Sequence, residues 1–175
     1  MPAASLLQRV RHRPDDIMGL VADVENYPRF IELISALRVI KETQVSAHHT
    51  HFEAEAVVAY KFISETFRSV VDVHRDTRQI AVKKADKGGA VKSLVNDWTF
   101  HELSDGSTLV DFDVDVRLKA FPLEVLARDK FDKVATKIMA MFIDYAGETL
   151  EDVGDARLDM TAEMTRLGLS KPLTS

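Results

Sequence analysis

The 175-residue chain contains no cysteine. Disulfides, thiol nucleophiles and thiolate metal sites are thereby excluded, while the compartment is left open. Long apolar runs are missing as well: no stretch approaches the ~18 residues needed to span a bilayer. The N-terminus, MPAASLLQRVRHRP, has no charged segment leading into a continuous apolar core. No signal peptide is read there, and a cytoplasmic location is expected. A basic excess is absent too. Lys and Arg number 23 against 28 Asp and Glu, a net charge of −5, which argues against DNA as a partner. No nucleophilic triad, phosphate loop, dinucleotide fingerprint or zinc-protease motif occurs. Gly88-Gly89 lacks the helix and spacing that phosphate cradling requires. With 46% apolar and 29% charged residues, the composition is that of an ordinary globular domain large enough to bury a core.

Aromatics make up only 7% of the chain, and the most informative stretch, Leu94 to Tyr145, is instead marked by two strongly patterned strands followed by one long amphipathic helix. Leu94, Asn96, Trp98 and Phe100 alternate with Val95, Asp97, Thr99 and His101. Val110, Phe112, Val114 and Val116 alternate with Asp111, Asp113, Asp115 and Arg117. Strand side chains switch faces at every residue, so each segment has one apolar and one largely polar face. Ser104-Asp105-Gly106 between them is a hairpin signal. Pro122 then opens a helix with apolar residues at 123, 127, 131, 134, 138, 142 and 145, ended by Gly147. At 1.5 Å per residue, helix 122–145 reaches roughly 36 Å, enough to cross a curved sheet.

Upstream, residues 3–12 alternate weakly as a first strand. Pro14-Asp15-Asp16 starts a helix, with Ile17, Leu20, Val21 and Val24 on one face. Asn26-Tyr27-Pro28 breaks it, because a residue before proline avoids the helical region, and Pro28 opens a second short helix through Ile34. Strands follow at 37–43, 51–60, 62–74 and 79–83; the apolar parity of the third shifts near Val70-Val71, which predicts a bulge. Segments 84–90 and 118–122 are loops. Beyond Gly147 the chain is polar and weakly patterned, with a short helix near 155–167. Two short helices, a run of strands and one long helix specify an α+β fold with an antiparallel sheet. Residues 1–147 form the domain and 148–175 an extension, a short helix or disordered.

Candidate chemistry concentrates on the apolar faces. Asn96 is the one polar residue among Leu94, Trp98 and Phe100; it either donates to a ligand carbonyl or fixes register by bonding neighbouring backbone. Trp98, Phe100 and Phe112 either wall a flat ring or pack the long helix. Val114 and Phe131 share those faces and complete the lining. Tyr27 is either a head-group contact or a half-buried turn residue. Arg68 anchors a head group if it points inward and is a surface charge otherwise. His48-His49-Thr50-His51 invites a zinc reading, but His49 and His51 lie opposite Phe52 and Ala54, on an expected solvent face, so no metal is assigned. Asp111, Asp113 and Asp115 share the outer face, where cross-strand Lys or Arg would pair with them, so no catalytic residue is assigned either.

Several motifs, in this order, resemble the coenzyme Q-binding family of START-like proteins. They are Leu20-Val21-Ala22-Asp23-Val24-Glu25-Asn26-Tyr27-Pro28-Arg29-Phe30, Glu65-Thr66-Phe67-Arg68-Ser69-Val70, Leu94-Val95-Asn96-Asp97-Trp98-Thr99-Phe100 and Val110-Asp111-Phe112-Asp113-Val114-Asp115-Val116. Neighbours of that family include polyketide cyclases and aromatases and the ribosome association toxin. The resemblance implies a helix-grip fold: a curved antiparallel sheet wrapped around the long C-terminal helix, with a hydrophobic tunnel between them. It further implies binding and delivery of a prenylated quinone such as ubiquinone, or a similar lipid, without catalysis and without a cofactor. Segments 84–90 and 118–122 would gate the tunnel, and exchange would involve transient contact with an inner membrane. The alternatives it carries are a ribosome-directed toxin that blocks subunit joining and a polyketide cyclase or aromatase. Two departures stand out. Ile31-Glu32-Leu33-Ile34 replaces the family's Leu-Pro-Trp-Cys, and the tail beyond Gly147 is longer, as an added cap, an oligomer contact or a loose end would be.

Overall fold

The computed structural model describes residues 3–60, 63–89, 91–118 and 121–174, the side chains of 60, 63, 118 and 121–130 excepted. The elements are β1 (Ala3–Val10), α1 (Pro14–Ala22), a 3-10 segment (Val24–Arg29), β2 (Ile34–Gln44), β3 (His49–Tyr60), β4 (Ile63–His74), β5 (Gln79–Lys84), β6 (Val91–Glu102), β7 (Thr108–Leu118), α2 (Phe121–Thr149) and α3 (Met160–Leu167). The seven strands form one antiparallel sheet in the order β1-β7-β6-β5-β4-β3-β2. This is the helix-grip fold that the resemblance implies, with α2 lying across the concave face.

The inner face is set by alternation. Phe52, Val71, Val82, Asn96, Val114 and Ala4 follow one another across six strands in a single registered row. The core joins this face to Ile17, Met18 and Val21 of α1 and to Ala135, Met139, Phe142 and Ala146 of α2. α1 starts as its sequence dictates, with Pro14 in the first turn and Asp15 and Asp16 favouring the positive end of the helix dipole.

Three local expectations are corrected. The second short helix is the 3-10 segment Val24–Arg29, and Pro28 lies inside it; the Tyr27 carbonyl accepts from both Phe30 and Ile31 N–H, which ends the turn before Ile34 enters β2. No bulge interrupts β4, whose register with β3 is unbroken from His49↔His74 to Tyr60↔Ile63. The parity only looked shifted because the polar Ser69 and Glu65 take inner positions while Val70 takes an outer one. Gly147 does not stop α2, which carries it through to Thr149.

The extension, expected to hold a short helix near 155–167 or to be disordered, carries α3 (Met160–Leu167) and packs as a cap. Leu158, Met160, Met164, Leu167 and Leu169 cover the outward-facing Leu7 and Leu109, together with Leu103, as a second small core. α3 has Asp159 accepting from Ala162 N–H at its start and Gly168 (φ 71°) at its end, each the residue its position demands. Thr174 N–H donates to the Leu7 carbonyl at 2.7 Å, covering part of the free edge of β1.

Candidate functional site

Along the inner face, burial divides the sheet into two ends. At one end Trp98 (4% exposed), Phe100 (2%) and Phe112 (8%) are sealed. Trp98 meets Phe112 edge-on at 4.6 Å between ring centres and Phe142 of α2 at 5.3 Å. Tyr27 and Phe30 reach the same Phe142 at 5.1 and 5.2 Å, and Phe30 stacks on Tyr145 at 4.3 Å. Asn26 donates to the Tyr145 hydroxyl at 2.7 Å. The break after α1 therefore locks this end of the fold. The Tyr27 hydroxyl donates to the Val21 carbonyl, which commits its one proton. Burial, with the Asp23 charge adding, pushes that phenol above its usual range.

At the other end Phe67, Val82, Leu94, Val114, Val116 and Phe131 are only half-buried. Asn96 sits at the boundary. Its Oδ1 accepts from the Trp98 indole N–H at 2.8 Å, and its Nδ2 donates to the Asp113 carbonyl at 3.0 Å. An indole can only donate and a carbonyl can only accept, so the amide orientation is fixed. One N–H and one lone pair remain.

Thus the inner-face residues Asn96, Trp98, Phe100, Phe112, Val114 and Phe131 come together, and Tyr27 joins through Phe142. Arg68 does not. It lies on the outer face, exposed, 3.6 Å from Glu55, because Phe67 and Ser69 on either side take the inner positions. Arg68 is therefore a surface charge and not an inward anchor.

The outer-face groups also find their partners. His49 and His51 converge on one oxygen of Asp72 at 2.7 and 2.8 Å. Burial raises the Asp72 carboxyl, but the two imidazole contacts outweigh it and hold it below its usual range. Among the described residues no group of three or more potential ligands is arranged for a metal ion. Asp111 and Asp113 are paired not by cross-strand Lys or Arg but by Lys171 of the extension, at 2.6 and 3.3 Å, and His101 of β6 lies 3.7 Å from Asp111. Ser5 adds a hydroxyl to Asp113 at 2.5 Å.

The sequence reading missed a polar group on the inner face. Lys84 pairs in register with Ser69, and Ser69 with the core residue Ala54, so all three share that face. The Lys84 side chain is 3% exposed, and its ammonium meets the Asp86 carboxylate at 2.9 Å and the Asp86 and Gly88 carbonyls at 2.8 and 3.3 Å. Burial raises the Asp86 carboxyl, but Lys84 and the Arg68 backbone N–H hold it below its ordinary range. Glu65 shares the face through Val58. The signal was there: Lys84 continues the parity of Ile80 and Val82, one residue past the expected strand end. An inner face of apolar residues and one amide would have spoken against cyclase chemistry; Lys84 and Glu65 remove that argument. Of the expected gate segment 118–122, residues 119–120 lie outside the described residues, while Leu118 ends β7 and Phe121 and Pro122 already belong to α2, so it is not the five-residue loop expected.

Comparison with known proteins agrees with this geometry. A family profile described as polyketide cyclase / dehydrase and lipid transport matches residues 10–143. A ribosome association toxin of Rickettsia prowazekii (strain Madrid E) is 24% identical over 141 residues, 80% of this chain and 92% of its own. A Streptomyces aromatase/cyclase shares the fold with a TM-score of 0.67 at 17% identity, over 83% of this chain and 92% of its own. An 18 kDa protein of Caulobacter crescentus has a TM-score of 0.67 at 25% identity, over 97% of this chain and 100% of its own. A match over 97% leaves no room to omit the extension 148–175.

Proposed function

Because the chain belongs to the polyketide cyclase / dehydrase and lipid transport family, we propose that it is a carrier of a hydrophobic small molecule, a prenylated quinone or similar lipid. Its tail lies on the half-buried inner face beneath α2, and its head group reaches Asn96. The observation that carries this reading is the clamped Asn96 amide, which presents a remaining N–H at the boundary between sealed and half-buried surface. A quinone carbonyl is an acceptor of the matching kind. Each buried methylene contributes roughly 0.8 kcal/mol, so a short isoprenoid segment supplies useful affinity. The carrier performs no chemistry and needs no cofactor: the Lys84 ammonium is already surrounded by acceptors rather than poised for proton transfer. It works in the cytoplasm and touches the inner membrane only to exchange cargo; among the described residues no helix is long and apolar enough to cross a membrane.

Trp98, the only tryptophan, is bonded to Asn96 and so reports the site directly. Titration with a short-chain ubiquinone is expected to quench it saturably, and organic extraction of purified protein to release a lipid identifiable by mass spectrometry. No lipid and no saturable quenching together would sink the proposal. The toxin relative favours a second reading, a block of ribosomal subunit joining. Sucrose gradients after overexpression decide it, since unchanged subunit and 70S peaks remove it.

A further inference from the structure

β1 is an edge of the sheet, and it already holds a short piece of the chain's own extension. The Thr174 N–H donates to the Leu7 carbonyl at 2.7 Å, and the Thr174 hydroxyl accepts from the Leu7 N–H at 2.9 Å. Earlier in the same tail, the Lys171 ammonium lies over β7 between Asp111 and Asp113, at 2.6 and 3.3 Å. The tail thus docks by two devices at once, a bond to a strand edge and a lysine among aspartates.

Both devices repeat, unused, further along the same strands. Backbone groups alternate in direction along a strand, so Ser5 and Ala3 turn their N–H and C=O to the same open side as Leu7. Among the described residues nothing bonds them there. Asp113 and Asp115 stand in register with Ser5 and Ala3. Asp97 of β6 lies directly opposite Asp113, a like-charge pairing that costs the sheet stability. Among the described residues no cation pairs with Asp97 or Asp115, since Lys171 reaches only Asp111 and Asp113. Because Ala3 and Ser5 are small, a groove of about 290 Å³ crosses the outer face here, lined chiefly by Ala3, Ser5, Val95, Asp97, Asp113 and Asp115. Val95 is 38% exposed, an apolar rest for the stem of a long cationic side chain whose head meets the carboxylates.

We propose that the Ala3–Ser5 edge of β1, with the aspartates beside it, is a docking strip for an extended, lysine- or arginine-bearing segment of a partner protein, which adds to the sheet beside β1. Main-chain bonds to Ala3 and Ser5 supply affinity, and every second side chain of the segment reaches across the groove to Asp113, Asp115 and Asp97. Nucleic acid and anionic lipid are repelled by this face, and a second copy would bring the same aspartates to the same edge. The strip is independent of the carrier reading, because these carboxylates point away from the cargo side of the sheet.

The probe is a short fluorescent peptide of alternating lysine and threonine, with a twin of equal charge whose backbone amides are N-methylated. The peptide is expected to bind saturably and more weakly as salt rises. Affinity falls about tenfold for the N-methylated twin, and again about tenfold for the parent peptide on the combined Asp97→Asn and Asp115→Asn variant. That variant loses a like-charge pairing, so its melting temperature is expected to hold or rise. Glu53→Gln, on the outer face of β3, leaves affinity unchanged. Saturating peptide slows hydrogen exchange at the Ala3 and Ser5 amides of the unmodified protein, a readout that needs no variant to fold. Equal binding of the twin, or unchanged exchange at Ala3 and Ser5, overturns the edge pairing. Full affinity in the Asp97→Asn and Asp115→Asn variant overturns the acidic strip. A dimer formed through β1 without peptide, seen by sedimentation, overturns the partner-protein assignment in favour of a second copy.

Discussion

The two ends of the inner face are built from the same strands and the same helix, yet they are packed to opposite standards. At the Trp98 end the sheet is buried on both sides. Inside, Trp98, Phe112, Phe142, Phe30 and Tyr27 interlock ring on ring. Outside, the extension covers Leu7 and Leu109 with residues of α3 and its flanks. At the Lys84 end neither layer is complete: the inner residues are half-buried, β5 stops short, and a loop stands where a strand would be. The lesson is a division of labour. One end supplies the cooperativity that holds the domain together, which frees the other to keep apolar surface accessible to cargo.

The largest expected effect tests the sealed end. Trp98→Ala removes a fully packed ring, which costs about 3–5 kcal/mol of unfolding free energy. It also leaves the Asn96 carbonyl without its donor. Leu94→Ala, two residues along the same strand face but at the half-buried end, is expected to cost about 1–2 kcal/mol. Urea denaturation of both variants reads the difference, and equal losses would erase the distinction between the ends. Next comes the outer layer. Leu109→Ala opens a cavity beneath α3 and is expected to cost about 2–4 kcal/mol, visible as a lower melting temperature. Its quinone affinity stays unchanged, because Leu109 faces away from the cargo. A parallel loss of affinity would show that the outer cap shapes the binding end.

The third effect is on binding. Val114→Trp places a bulky ring on the half-buried inner face beside Asn96, and is expected to weaken quinone binding at least about tenfold, or 1.4 kcal/mol. A melting temperature that falls as far as that of Trp98→Ala would mean the site is already full. Asn96→Leu removes one head-group hydrogen bond, worth about 0.5–1.5 kcal/mol, and lowers affinity by a correspondingly smaller factor.

Most of the architecture was legible because alternation and the 3.6-residue stripe are local signals. The strands β6 and β7, the hairpin at Asp105-Gly106 and the long helix each follow from period and turn chemistry alone. What was not legible depended on distant partners. Arg68 could not be oriented because Ser69 and Glu65 disguise the inner parity of β4. The aspartates of β7 were expected to meet cross-strand Lys or Arg, but Lys171, some 60 residues later, takes that place. Leu7 and Leu109 were the overlooked clue to the cap, apolar residues on an otherwise polar face. Lys84 escaped notice because a lysine at a strand end reads as surface until its register with Ser69 is known.

The smallest expected effect is electrostatic and belongs to the outer cap. Glu163 of α3 accepts from Arg166 at 3.2 Å and from Ser104 N–H at 2.5 Å, joining the cap to the β6–β7 turn. Those two partners hold its carboxyl at about 2, well below a free glutamate. A depressed folded-state value means that the ionised group stabilises the fold above the unfolded value, near pH 4.3. That stabilisation is lost as pH falls through about 2. Asp105, held at about 2 despite burial by Ser107, the Asp155 N–H and Arg9, behaves the same way on the neighbouring turn. Glu163→Gln should therefore lower stability most at neutral pH. The gap to the parent protein should narrow as pH drops below 4 and close near 2. Chemical denaturation at a series of pH values measures it. Because Glu163 sits behind the sealed end, Trp98 quenching by quinone should be the same in both proteins at neutral pH. A gap that widened toward acid would mean that Glu163 enters the fold protonated, and the cap would then not be anchored by this ion pair.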